Sequence, residues 1–207
     1  MPTRNIVKVY AEGNYYHVYN RGVNTELIFI DDLDYRYFLS LFKQRLCREQ
    51  ARDKTRRPIA HFYTDVELVG YCLMPNHYHL LLYLKEKSGI ESLMRSVMTA
   101  YSGYFNKKYS RRGKLFQNHF LASRITSDEY LLHVSRYIHL NALDVGREAT
   151  EYPYSSVRYF SGERFAEWVH PEHIVDSALE RSWYISDLDD EADHHRLYHH
   201  LKHELAN

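Results

Sequence analysis

Val66-Glu67-Leu68-Val69-Gly70-Tyr71-Cys72-Leu73-Met74-Pro75-Asn76-His77-Tyr78-His79-Leu80-Leu81-Leu82-Tyr83-Leu84 is the stretch that decides the fold. Two β-rich runs flank Pro75-Asn76, a turn signal, and so read as a hairpin of two strands, residues 65–74 and 77–84. Strand side chains alternate between faces, so His77 and His79 share one face. The apolar run after them places the pair on a central strand. Two imidazoles so spaced are close enough to share a metal ion, which would need at least one more protein ligand and open positions for substrate. Taken alone, a His-x-His pair is a weak signal of a metal site.

Outward from the hairpin, Tyr15-Tyr16-His17-Val18-Tyr19-Asn20-Arg21-Gly22 alternates and ends on glycine, a first strand. Asp31 and Asp32 precede Phe38, Leu41, Phe42 and Leu46 at helical spacing, which predicts a helix running to about Glu49. A charged loop, residues 48–58, joins it to the hairpin. After the hairpin, Leu93, Val97 and Tyr101 mark a long helix over residues 90–108. Residues 120–125 read as a fourth strand, and Ser127-Asp128-Glu129 opens a helix that runs to about Leu143 and stops at Gly146. The order β-α-β-β-α-β-α predicts an α+β fold. Its first six elements follow the ferredoxin-like split βαβ plan, an antiparallel sheet with helices on one face. Residues 1–150 are expected as the catalytic domain and 151–207 as an acidic helical C-terminal extension.

The 207 residues are 44% hydrophobic and 26% charged, ordinary globular values that exclude disorder, collagen and a disulfide miniprotein. No apolar run approaches the ~20 residues of a membrane-spanning helix, and no secretory signal is read at the N-terminus. Cys47 and Cys72 are expected as reduced thiols in a cytoplasmic protein. The net charge of zero hides an asymmetry. Residues 1–147 hold 22 Lys+Arg against 14 Asp+Glu, and residues 148–207 hold 5 against 13. A basic first part is a footprint for a polyanion. The acidic tail is either a solvated face or a cover for the basic surface. Twenty tyrosines suit both the edge of a core and a surface on which bases stack.

Two further groups carry chemistry. Tyr130, His133, Tyr137 and Asn141 fall on one face of the last helix, beside an apolar stripe of Leu131, Val134 and Ile138 that can pack on the sheet. This polar face is expected at the sheet margin, either presenting a tyrosine to a site or simply solvated. Lys107, Lys108, Tyr109, Arg111, Arg112 and Lys114 form a basic loop with aromatic neighbours, which reads either as a nucleic-acid surface or as a solvated loop. The run His194-His195-Arg196-Leu197-Tyr198-His199-His200 reads as an exposed helix that could bind metal adventitiously.

Tyr16-His17-Val18-Tyr19-Asn20-Arg21-Gly22, Tyr71-Cys72-Leu73-Met74-Pro75-Asn76-His77-Tyr78-His79-Leu80-Leu81-Leu82 and Arg136-Tyr137-Ile138-His139-Leu140-Asn141 together resemble the REP-associated tyrosine transposases, single-tyrosine members of the HUH endonuclease superfamily. Residues 100–120 and Tyr152-Pro153-Tyr154-Ser155-Ser156 add to the likeness, which spans about residues 14–160. It implies His77 and His79 as paired metal ligands, Tyr137 as the nucleophile and Asn141 as the third ligand. It also implies Mg²⁺ or Mn²⁺ as cofactor. The activity implied is cleavage and joining of single-stranded, hairpin DNA built on repetitive palindromes, through a 5′-phosphotyrosine. Arg21 and the basic loop are the expected DNA contacts. Two positions depart from the family pattern: Asn141 is followed by Ala142 rather than proline, and Gln117-Asn118-His119-Phe120 stands where Gln-x-Arg-Phe is usual. The expectation is a cytoplasmic transposase that works on nucleoid DNA, without membrane association, as a monomer rather than a dimer. The competing expectations are a non-catalytic regulator that binds hairpin DNA on the same fold, and a Zn²⁺ hydrolase that activates water.

Overall fold

The computed structural model describes residues 10–188 and 190. Four strands, β1 (Asn14–Arg21), β2 (Val66–Met74), β3 (His77–Leu84) and β4 (Leu121–Ile125), form one sheet in the order β2-β3-β1-β4. Every neighbouring pair is antiparallel. β3 separates β1 from β2, and β1 separates β3 from β4, which is the split arrangement expected from the element order. The two crossover helices, α1 (Asp32–Leu46) and α2 (Gly89–Lys108), pack on one face of the sheet with Tyr16, Val18, Leu80 and Leu82. α1 opens on a capping box between Asp31 and Asp34 and stops at Leu46, three residues short of the expected end.

A third helix, α3 (Asp128–Leu140), begins at Ser127, whose side chain accepts the Tyr130 amide. It covers the other face of the sheet, where Leu131, Val134 and Ile138 meet Val69, Cys72, Leu81 and Ile125. With helices on both faces, β3 is buried along nearly its whole length, which explains its unbroken apolar run. α3 ends earlier than expected and tightens into a 3₁₀ turn, Asn141–Val145, closed by Gly146 at a φ of 66°.

The described residues beyond 150 pack into this second core. Among them are the helices α4 (Val157–Phe160) and α5 (Ala178–Leu188), and Tyr152, Val157, Phe160, Val175, Tyr184 and Leu188 are buried against α3 and the sheet. A buried polar chain ties the parts together. His139 of α3 bonds the Tyr184 hydroxyl through Nδ1 and Ser156 Oγ through Nε2, each at 2.8 Å, and Tyr184 donates to Ser135. Both cysteines are free thiols. No helix among the described residues is long and apolar enough to cross a membrane. The histidine run 194–200 lies outside the described residues.

Candidate active site

Register builds the site. Arg21 pairs with His77 and Tyr19 with His79 across β1 and β3, so these four residues share the sheet face that α3 covers. His77 opens β3 directly after the Pro75-Asn76 turn. That turn is held from outside, because the Ile28 and Phe29 amides both donate to the Pro75 carbonyl and the Gly22 amide donates to the Asn76 carbonyl. A Cβ on Gly22 would lie 2.1 Å from the Glu26 carbonyl oxygen, so only glycine allows the chain to leave β1 this closely.

The rings of His77 and His79 stand 5.0 Å apart at right angles. α3 lays Tyr137 over them, its ring 5.5 Å from His79 and edge-on. Asn141 follows one helical turn later. The structure therefore brings together the four residues singled out by sequence. It also changes the environment expected for two of them. Tyr137 is only 7% exposed and Asn141 2%, so this stripe of α3 faces the sheet and not its margin. Tyr130 and His133, two turns and one turn before Tyr137, are half-buried.

Hydrogen bonds fix where the lone pairs lie. Asn141 donates its amide nitrogen to the Tyr137 carbonyl at 2.7 Å, and its side chain lies within reach of His77. His77 places Nδ1 2.7 Å from the Asn76 amide oxygen. That oxygen only accepts, so the His77 proton sits on Nδ1 and Nε2 keeps its lone pair. His79 has Nδ1 2.8 Å from His17 Nε2, while its own Nε2 is buried with no partner. Burial lowers the pKa of His79 well below the ordinary imidazole range, with the neighbouring His77 and His17 adding to the shift. Burial also lowers His77, partly offset by Asn141 and Asp144. At neutral pH both rings are neutral and able to donate electron pairs.

Such a donor set fits a divalent ion. The donors it would use are the orphaned Nε2 of His79, the Nε2 lone pair of His77 and the amide oxygen of Asn141. No group of three His, Cys, Asp or Glu side chains able to hold a metal occurs among the described residues.

His17 is the residue that sequence reading missed as part of the site. It is 1% exposed, and burial lowers its pKa to about 3. Its ring stacks 5.1 Å from His79 and meets Tyr137 edge-on at 6.0 Å. The strand period that pairs His77 with His79 also places His17 on the face of Tyr19. What the sequence lacks is the register that sets this face beside His79.

The basic loop divides. Lys108 pairs with Asp31 and Asp34 at 2.7 and 2.8 Å, Tyr109 donates to Asp34, and Arg111 pairs with Glu26. Lys107, Arg112 and Lys114 are exposed. The loop returns along the end of β1, where Arg21 donates through Nε to the Gln117 side chain and accepts the Gln117 amide on its carbonyl.

A family model described as IS200-like transposase matches residues 33–141, more than half of the chain. The chain belongs to the IS200-like transposase family. The match runs from α1 to Asn141, so it contains His77, His79 and Tyr137 and leaves out β1 with His17. As a member of that family this transposase has a DNA-processing role of the transposase type. Its fold is similar to that of a REP-associated tyrosine transposase solved bound to a REP hairpin, with a TM-score of 0.55 at 13% identity over 80% of this chain and 90% of the other. A candidate transposase from Deinococcus radiodurans R1 is also similar, with a TM-score of 0.40 at 14% identity, over 63% of this chain and 92% of that one. No curated protein sequence matches the transposase.

Proposed function

We propose that this transposase is a divalent-metal-dependent enzyme that nicks and rejoins single-stranded DNA at hairpins, with Tyr137 as nucleophile and His77, His79 and Asn141 as ligands of Mg²⁺ or Mn²⁺. The observation that carries the reading is the edge-on contact of Tyr137 with His79, 5.5 Å ring to ring, where the His79 Nε2 is buried without a partner. Two imidazole nitrogens beside one amide oxygen favour Mn²⁺ over the harder Mg²⁺.

A bound divalent ion would neutralise and orient the scissile phosphate. The chain supplies the rest. A phenol with its ordinary pKa near 10 is a weak nucleophile, and fixing Tyr137 on a helix packed against the sheet supplies the orientation that such a reaction needs. The Tyr137 oxygen forms a bond to phosphorus while the bond to the 3′ oxygen breaks. The phenolic proton is released and the departing oxygen gains one, so no water is consumed. A 3′-OH of another strand attacking the phosphotyrosine reverses these steps and rejoins DNA. Arg21, in register with His77, would meet a phosphate, and Lys107, Arg112 and Lys114, which are exposed, would add positive charge for the DNA backbone. Hairpin DNA as the substrate follows the similarity to the REP-associated transposase, which was solved with one.

The test is a denaturing gel of the protein incubated with hairpin-bearing single strands and Mn²⁺. A covalent protein–DNA adduct is expected, and Tyr137→Phe removes it while leaving hairpin binding within a few-fold. Mapping the adduct to another tyrosine, or cleavage without any adduct, refutes the assignment and in the second case favours activated water.

A further inference from the structure

His17 belongs neither to the donor set nor to the nucleophile, and it lies outside the residues that match the family model. It is not the cross-strand partner of His79, which is Tyr19; it stands diagonally, two residues along β1. The rings of His17 and His79 are nearly parallel, at 18°, and the Tyr19 ring lies beside both, 5.0 Å from His17 and 6.0 Å from His79. Neutral imidazoles each carry one proton, on either of two nitrogens. The 2.8 Å contact between His17 Nε2 and His79 Nδ1 needs one of those protons.

Only two arrangements satisfy it. In the first, His79 holds its proton on Nδ1 and donates to His17 Nε2, and His79 Nε2 keeps a bare lone pair facing Tyr137 and His77. In the second, His17 donates from Nε2, and His79 must carry its proton on its own Nε2. Neither nitrogen of His79 can then bind a cation. In both arrangements His17 Nδ1 and His79 Nε2 stay buried without partners, so the ring pair alone chooses weakly between them. A cation on His79 selects the first. His77 shows the same device in another form, since its Nδ1 proton is already taken by the Asn76 amide oxygen.

We propose that His17 is a positioning residue for the metal site, accepting the Nδ1 proton of His79 and so fixing the tautomer and ring orientation that aim the His79 Nε2 lone pair at the ion. This rests on the reading of His77, His79 and Asn141 as a cation site. Outer partners of this kind typically hold ligand rings in place, and their loss costs 10–100-fold in metal affinity.

Two measurements test it. Long-range ¹H–¹⁵N correlation spectra of ¹⁵N-histidine wild-type protein, recorded with and without Mg²⁺, read the tautomers directly. With Mg²⁺, His79 and His17 are both expected to be protonated on Nδ1, with His17 Nε2 shifted as a hydrogen-bond acceptor. Titration with Mn²⁺ alone, followed by electron paramagnetic resonance, reads affinity. His17→Phe keeps the stacked ring but removes the acceptor and should weaken Mn²⁺ binding about 10–100-fold. His17→Gln restores an acceptor oxygen and should recover most of it. Wild-type affinity in His17→Phe, equal weakening in both variants, or a metal-bound His79 protonated on Nε2 overturns the proposal. Absence of Mn²⁺ binding by the wild-type protein brings down the cation site itself, and the proposal with it, before any His17 variant is made. The spectra need no variant, so a His17→Phe protein that fails to fold leaves the proposal open to refutation.

Discussion

Asn141 combines two tasks that substitutions can separate. Its amide nitrogen holds the Tyr137 carbonyl at 2.7 Å and the Ile138 carbonyl more loosely at 3.4 Å, and its oxygen is the atom that would bind the proposed ion. Asn141→Ala removes both. Losing a buried donor and leaving its carbonyl unpaired costs about 1–3 kcal/mol, so a loss of about 2 kcal/mol is expected, or roughly 4–8 °C in Tm for a chain of this size. Asn141→Asp keeps an oxygen ligand but has no amide protons, so in EDTA it should melt at least as early as the alanine variant. Mn²⁺ then separates them. At a concentration 100 times the wild-type Kd, binding adds about 2.7 kcal/mol of stability to the wild-type protein. A 10–100-fold weaker site, the least expected for loss of a ligand, gains only about 1.4 to 0.4 kcal/mol at the same concentration. Asn141→Asp, with an added negative charge at the ion, should gain at least as much as wild type. Thermal melts by circular dichroism with EDTA and with Mn²⁺ supply all six values. If Asn141→Ala gains as much from Mn²⁺ as wild type, Asn141 is not a ligand. If Asn141→Asp melts with wild type in EDTA, the bond to the Tyr137 carbonyl contributes nothing.

Three more outcomes follow from the geometry. Tyr184→Phe strips the partner from His139 Nδ1 and Ser135, and urea denaturation should show a loss of about 1–3 kcal/mol; a loss under about 0.5 kcal/mol would mean that α5 is held by its apolar contacts alone. Burial alone would raise the Asp34 carboxyl, but Lys108, the Ile30 and Asp31 amides and Tyr109 more than offset it and hold its pKa below the ordinary carboxylate value. A depressed pKa means that this stabilisation is present above the unfolded-state value and is lost as pH falls through the folded one. The stability gap between wild type and Asp34→Asn should therefore be full at pH 7 and close below about pH 4, whereas a gap independent of pH would show that the charge is immaterial. In hairpin titrations at several salt concentrations, Arg112→Ala and Lys114→Ala should each flatten the log–log salt slope by about 0.7–0.9. Arg111→Ala should do less, because Glu26 already neutralises it; equal slopes would show that Arg111 leaves Glu26 when DNA binds.

The local geometry of the site was legible in the sequence because it depends only on backbone periods. A strand repeats every two residues, which puts His77 and His79 on one face, and a helix turn puts Asn141 beside the carbonyl of Tyr137. The hairpin, the split order of strands and the two crossover helices followed from apolar spacing and turn residues. What the tertiary structure decided are meetings between residues far apart in the chain. The choice of sheet face for α3 turned its polar stripe inward and put Tyr137 on the histidines. The pairing of β1 with β3 brought His17 to His79, 62 residues away. Asp34 drew in Lys108 and Tyr109, 74 and 75 residues on, and took them out of the free basic loop that composition suggested. Polar residues of this kind look solvent-facing in a sequence. Burial leaves each donor or acceptor in need of a partner, and which partner it finds depends on register and on layer order, which no local spacing carries.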